Sequence, residues 1–281
     1  VLSAKYIWVS TKNTFKSKGL RATLQSSRGY VGSRFFPVAT DETARRFRLG
    51  QKLSKLFDNT VAYGPFKGLI LSDTSWWGAA DRGSMLLGLY EQEVLTTLTQ
   101  LAVGRETLID LGAADGYYAV GSVSSGLFTR SIAFEISPEG RTAIGDNAER
   151  NLVSDLVRVL GEAESDFLTE LQAKYSLDLE STALLIDIEG AEFDLLSAEL
   201  LERMSQAALI IEIHDFHIED KARVSELLGN AARYFNTEWV TTGQRDLSTF
   251  PELTDWSDDD RWILCSESRP KRMKWLILTP K

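Results

Sequence analysis

Leu108-Ile109-Asp110-Leu111-Gly112-Ala113-Ala114-Asp115-Gly116-Tyr117-Tyr118 is the stretch whose reading decides the fold. An apolar run that ends in an acid and then in two glycines four residues apart reads as a buried parallel strand entering a tight turn and a helix. Glycine suits such a turn because, without a Cβ, it reaches positive φ cheaply and lets a ligand approach the backbone. The following helix would aim unpaired N–H groups at whatever lies above the strand. Spacing separates the ligand classes that use such a turn. The dinucleotide fingerprint wants glycine at its first, third and sixth places, which here are Gly112, Ala114 and Tyr117. A phosphate loop wants Gly-Lys-Ser/Thr, and Gly116-Tyr117-Tyr118 has no lysine. What remains is Asp-x-Gly-x-x-x-Gly, or a turn with no ligand.

Downstream, apolar strands alternate with helical segments, the pattern of a parallel sheet covered by helices on both faces. The strands are expected at 107–111, 131–136, 157–160, 183–188 and 208–214. Ser137-Pro138 reads as a helix start, serine as N-cap and proline in the first turn, and Asn151 as that helix's end. After residue 230 the alternation stops, and two last strands are expected at 261–266 and 273–279, around Arg269-Pro270-Lys271. Upstream, helices are expected at 41–56 and 84–101, the latter from its stripe of Leu86, Leu87, Tyr90, Val94, Leu95 and Leu98. A short strand at 6–9, a loop at 26–32 and two short strands around Gly64-Pro65 complete the reading. The expected division is an N-terminal basic extension or lip, 1–83, and a main domain, 84–281.

Composition bounds the function. With 281 residues, 43% of them hydrophobic and 25% charged, the chain is an ordinary α/β protein able to bury a sizeable core. One cysteine excludes an internal disulfide and any cysteine-cluster zinc site; Cys265 reads as a small buried hydrophobe. No apolar run approaches the roughly 18–20 residues that cross a bilayer, and the N-terminus lacks a signal-peptide core, so the expected location is cytoplasmic. Net charge is −9, yet residues 1–55 carry twelve Lys and Arg against Asp41 and Glu42. Such asymmetry suits an anionic partner, a nucleic acid, a phosphate or a lipid surface, or a basic arm lying on its own acidic domain.

In a doubly wound sheet ligands lie across the carboxyl ends of the strands. Strand two ends in Phe134-Glu135-Ile136-Ser137-Pro138, so Glu135 falls 25 residues after Asp110, where an acid can accept from both ribose hydroxyls. Glu135 would otherwise be a helix-start acid favoured by the macrodipole. Strand three leads into Gly161-Glu162-Ala163, where Glu162 could accept from an adenine amine or be a plain surface acid. Strand four ends in Ile186-Asp187-Ile188-Glu189-Gly190-Ala191-Glu192, strand five in Ile211-Glu212-Ile213-His214-Asp215. If these strands are neighbours, an imidazole and several carboxylates meet at one rim, a cluster costly to bury unless paired, metal-bound or functional.

Together these segments resemble the FkbM-type branch of class I S-adenosylmethionine-dependent methyltransferases, over about residues 84–216. Asp-Ile-Glu-Gly-Ala-Glu is the most specific part; Ala114 departs from the motif, which often has glycine there. The resemblance implies a doubly wound, seven-stranded, mostly parallel Rossmann-like sheet whose last pair contains an antiparallel strand. It implies S-adenosylmethionine as cofactor and methylation of a hydroxyl on a sugar, glycan or small natural product. Asp110, Gly112, Ala113 and Gly116 would line the cofactor, Glu135 with Ile136 would hold its ribose, Glu162 and Ala163 would border adenine, and Asp187 would complete the set. A methyl sulfonium is already activated, so the protein must align a nucleophile and remove its proton. His214 is the expected base, with Asp187 or Glu189 orienting it or the acceptor. A variant places Mg²⁺ on Asp187, Glu189 or Glu212. Trp76, Trp77 and Trp256 could wall an acceptor pocket or belong to the core. The other readings are a methyltransferase of nucleic acid or protein that grips through the basic segment, and a cofactor-binding protein without catalysis.

Overall fold

The structure, a computed structural model, describes residues 41–269 and 271–281. The expected strand at 6–9, the loop at 26–32, most of the basic segment and Pro270 lie outside the described residues.

Seven strands form one sheet: β1 Thr107–Leu111, β2 Arg130–Phe134, β3 Val157–Leu160, β4 Thr182–Ile186, β5 Ala208–Glu212, β6 Phe235–Thr241 and β7 Lys274–Pro280. Their order is β3-β2-β1-β4-β5-β7-β6. β1 to β5 run parallel, and β7 inserts antiparallel between β5 and β6. This doubly wound, mostly parallel sheet with one reversed strand is the Rossmann-like methyltransferase fold that the resemblance implies. The chain order reverses beside β1, which pairs with β2 on one side and β4 on the other, so the crevice for a ligand opens at the end of β1.

Both faces of the sheet are apolar, which is why the central strands read as continuous hydrophobic runs. Leu108, Ala133, Leu185, Ala208 and Ile210 pack on one side, Ile109, Ile132, Leu184, Ile186 and Ile211 on the other. Each large side chain so buried contributes about 1.5–3 kcal/mol relative to exposure. The first face is covered by α1 Asp41–Phe57, α2 Arg82–Leu86, α3 Gln92–Leu101, α4 Tyr117–Ser124 and α5 Pro138–Arg150. The second is covered by α6 Phe167–Tyr175, α7 Glu192–Leu195, α8 Ala198–Arg203 and α9 Ala222–Tyr234. α10 Asp258–Cys265 packs back against α1 and α2, with Arg45 Nε 2.7 Å from Asp260 Oδ1. Ser137 caps α5 by accepting from Gly140 N, with proline in the first turn and Asn151 at the far end, as expected.

Four expectations are corrected. Residues 261–265 form the end of helix α10, with Ser266 as its C-cap, and not a strand: Ser257 caps the start and Asp258, Asp259 and Asp260 suit its positive N-terminus. β6 is not expected from the sequence, because its exposed residues leave no apolar run to read. The helix at 84–101 is two helices broken at 87–91, where a Cβ on Gly88 would lie 2.4 Å from Tyr63 O. The paired strands around Gly64-Pro65 reduce to a single bridge, Thr60 to Ile70. No described helix is long and apolar enough to cross a membrane.

Candidate active site

β1 delivers Asp110 and the glycine turn to the crevice. Gly112 takes φ +92, and a Cβ there would lie 1.8 Å from the backbone oxygen of Asp187. Only glycine allows that approach, and Asp187 N donates to Leu111 O at 2.9 Å in the same contact. The turn after β1 and the acid box after β4 are therefore locked together through backbone. Gly116, at φ +81, is the N-cap of α4. Between them Ala114 adopts φ 48, a left-handed conformation that explains why glycine suits that place.

Glu135 fixes the outer side of the turn. One carboxylate oxygen accepts from Ala114 N at 2.9 Å, the other from Ser137 N at 2.7 Å. Gly140 leaves it room, since a Cβ there would sit 2.6 Å from Glu135 Cγ. Burial raises its pKa against those two bonds. Ala113 is buried beside it and Ile136 is exposed at the rim. Glu162, beyond β3, is exposed and lines a cavity with Phe134, Leu160 and Phe167. Asp115 ties down the upstream lip: its Oδ1 accepts from Trp76 N and Trp77 N, both at 3.1 Å. Trp76 and Trp77 lie side by side on that lip, whereas Trp256 packs against the core with Lys52 Nζ 4.2 Å over its ring.

The ends of β4 and β5 bring the remaining expected residues together around His214, which is 3% exposed. Its Nε2 lies 3.6 Å from Asp187 Oδ1, 3.6 Å from Glu189 Oε2 and 3.9 Å from Glu212 Oε1. Its Nδ1 lies 3.4 Å from Glu192 Oε1. Glu192 is wholly buried and clamps the two strand ends, accepting from His214 N through Oε1 and from Gly190 N through Oε2, each at 2.8 Å. Burial works against a charged imidazole, but Glu192, Asp187 and Glu189 outweigh it and the His214 pKa is raised.

A second layer comes from distant segments. Arg269 Nη1 lies 2.9 Å from Glu212 Oε1, its Nη2 pairs with Glu91 Oε1, and its Nε lies 2.7 Å from Glu267 Oε2. Glu91 also accepts from Tyr118 OH at 2.6 Å and sits in left-handed conformation, φ 44, at the start of α3. Burial raises the pKa of Glu91 to about 7 and, with Asp187 adding to it, that of Glu212 to about 11. Desolvation opposes the charge on Arg269, yet Glu91 and Glu212 hold it firmly protonated.

The acids outnumber the cations. Asp110 is buried with Oδ2 unpartnered among the described residues, and burial plus the nearby Asp187 push its pKa up to about 8. Asp187 Oδ1 is likewise buried and accepts no hydrogen bond among the described residues, with His214 Nε2 3.6 Å away. Two buried carboxylate oxygens that accept no hydrogen bond, beside a left-handed glycine turn, fit a cationic ligand such as S-adenosylmethionine, with its sulfonium and ammonium groups. Asp110, Gly112, Gly116 and Asp187 would hold it. Ligand atoms of Asp187, Glu212 and His214 also lie within 4.8 Å of one another, a spacing that could take a metal ion, although Arg269 already supplies positive charge to Glu212.

No family model matches the chain, and no curated protein matches it. Solved structures similar to it include an O-methyltransferase from Bacillus cereus in complex with SAH, 12% identical, covering 90% of this chain and 97% of that one at TM-score 0.46. A precorrin-6y C5,15-methyltransferase from Geobacter metallireducens is 12% identical, covering 66% and 86% at TM-score 0.42. A ribosomal protein L11 methylase from Lactobacillus delbrueckii subsp. bulgaricus is 17% identical, covering 66% and 78% at TM-score 0.39. The fold class rests on the strand order and not on these likenesses.

Two residues of the cluster, Glu91 and Arg269, carry no signal of their role in the sequence, and Glu192 carries only part of one. Glu192 was visible as the last acid of its box, but its two backbone partners were not. Glu91 and Arg269 lie 178 residues apart, and no local pattern announces that they meet.

Proposed function

We propose that this chain is an S-adenosylmethionine-dependent O-methyltransferase of the FkbM-type branch, acting on a hydroxyl of a sugar, glycan or small natural product. One observation carries the reading: a buried imidazole whose Nδ1 faces a buried carboxylate, Glu192, while its Nε2 faces the strand ends beside the glycine turn. That is the arrangement of an oriented general base.

S-adenosylmethionine, when bound, supplies an activated methyl group. The protein's own work is to orient the acceptor hydroxyl and to take its proton. Glu192 Oε1 lies 3.4 Å from Nδ1 without a formed hydrogen bond, and its carboxylate favours a proton on that nitrogen, which would leave Nε2 to accept. Asp187 and Glu189, each 3.6 Å from Nε2, would orient a hydroxyl that approaches it. The surrounding carboxylates raise the His214 pKa, and a positive charge beside Asp187 would offset them and favour the neutral base.

The test joins calorimetry with S-adenosylhomocysteine to transfer of labelled methyl across a panel of sugars, glycans and hydroxylated small molecules. Binding and an O-methylated product are expected, with His214→Ala lowering turnover by about 10²–10⁴-fold. No heat with either form of the cofactor refutes the reading. Methylation confined to nucleic acid or protein, weakening steeply with salt, transfers the acceptor to that class.

A further inference from the structure

Acids crowd the centre of the site, but lysines gather at its rim. Lys221, Lys271, Arg272 and Lys274 come from two segments that meet beside His214, the loop after β5 and the approach to β7. Lys274 has a carboxylate, Asp215 Oδ2, 2.8 Å from its Nζ. Lys221 Nζ donates to the backbone oxygens of Asp215 and Ile218, and Arg272 Nε to Thr242 O, partners that carry no charge. Lys271 is exposed, and its Nζ makes no hydrogen bond or ion pair among the described residues; it lies 5.0 Å over the Phe216 ring. That ring is 5.7 Å from the His214 ring, so one phenyl group separates an unpaired ammonium from the proposed base. We propose that Lys271 binds an anionic group, a phosphate or a carboxylate, on the methyl acceptor, and so selects acidic sugars or acidic small molecules. This rests on reading His214 as the base.

The ammonium is placed rather than adrift. Phe216 packs against the core, edge-on to His214 and 4.4 Å from the His217 ring, and its face attracts the cation above it. Lys271 therefore stands at a fixed distance from the base with its donors open. The other acids of the β5 loop leave it uncovered: Asp220 Oδ1 accepts from Ala222 N at 2.9 Å, and Glu219 is exposed and forms no ion pair among the described residues.

The two ends of the site thus differ in sign, and that difference can set an acceptor's orientation. Asp187 and Glu189, each 3.6 Å from His214 Nε2, repel an anionic group from the base while leaving a neutral hydroxyl free to approach. At the rim the order is reversed. In a chain of net charge −9, whose field disfavours anions in general, a local excess of ammonium groups marks where one would be held. A lysine serves as a point charge for phosphate or carboxylate, and the hydrogen bond it makes to either is charge-assisted. An acceptor anchored there by its acidic end would present a hydroxyl one ring's width away, at Nε2.

The test titrates the full chain, with S-adenosylhomocysteine present, against a panel of sugar phosphates, uronic acids, their neutral parent sugars and inorganic phosphate, binding being read by NMR of the ligands. Sugar phosphates or uronic acids should bind more tightly than their neutral parents, and which of the two does so names the anionic group. Lys271→Gln should weaken that binding about tenfold or more, and Lys271→Arg should restore most of it. For any panel member that is methylated, Lys271→Gln should raise KM by the same factor with kcat nearly unchanged. Anionic members that bind no better than neutral ones, or equally well to Lys271→Gln, overturn the proposal. Inorganic phosphate bound as tightly as any sugar ester also overturns it, since the rim would then read an ion and not an acceptor. Binding that depends on Lys271 without any heat from S-adenosylhomocysteine would strike the cofactor reading and leave the anion site standing; heat without such binding would do the reverse.

Discussion

Replacing Glu192 by alanine offers the sharpest quantitative test, because one side chain holds two strand ends. Its carboxylate accepts from His214 N and from Gly190 N, each at 2.8 Å, and no part of it reaches solvent. Alanine leaves two donors without partners. An unsatisfied buried donor costs about 1–3 kcal/mol; His214 N is enclosed, while Gly190 N is only partly buried and recovers some of that from water. The sum is about 2–5 kcal/mol, before any cost of the space left behind, against a total stability of about 5–15 kcal/mol for a domain. Glu192→Gln keeps one accepting oxygen and turns an NH₂ toward the other donor, so about half the loss is expected. Urea denaturation followed by tryptophan fluorescence measures both variants, and an unchanged m-value would keep the comparison two-state. An alanine variant within about 0.5 kcal/mol of the parent would refute the clamp and, with it, the account of how His214 is oriented.

Three further expectations concern charge, metal and backbone. Asp110 has its pKa raised to about 8, so the folded protein keeps a proton that the unfolded chain loses above about pH 4. Stability should therefore fall as pH rises from about 4 to 8, and Asp110→Asn should flatten that slope in denaturation midpoints. Binding S-adenosylmethionine should expel the same proton at pH 7, so calorimetric heats should vary with buffer ionisation enthalpy; identical heats in all buffers would count against a cation beside Asp110. Thorough chelation should leave methyl transfer intact, because Arg269 already faces Glu212; loss restored by Mg²⁺ or Mn²⁺ would give Asp187, Glu212 and His214 to a metal. Ala114→Gly should stabilise by up to about 1 kcal/mol, since Ala114 holds φ 48, and a lower melting temperature would contradict that strain.

What the sequence made legible follows burial. β1, β2, β4, β5 and β7 are largely enclosed and read directly as apolar runs, the edge strand β3 is legible from Val157, Val159 and Leu160 although partly exposed, and Ser137-Pro138 announces α5 because caps act locally. β6 was silent because an edge strand facing solvent needs no apolar pattern. α10 misled because Trp262-Ile263-Leu264-Cys265 is a short apolar run, which periodicity cannot assign; the capping serine and three aspartates before it were the better signal. At the site, the expected gathering of Asp187, Glu189, Glu212 and His214 followed from two adjacent strand ends. The Arg269 layer did not, because it is made by the reversed strand's loop reaching across the fold, a matter of tertiary geometry alone.

The contact between Gly112 and the Asp187 carbonyl has a mechanical meaning. On the proposed reading, the cofactor turn is braced directly on the end of β4, and Glu192 carries that brace on to His214, so the two sides of the reaction would move together. Adaptation to new acceptors is then free to proceed in the lip at 72–77 and the loop after β5, without retuning the distance over which a methyl group must travel.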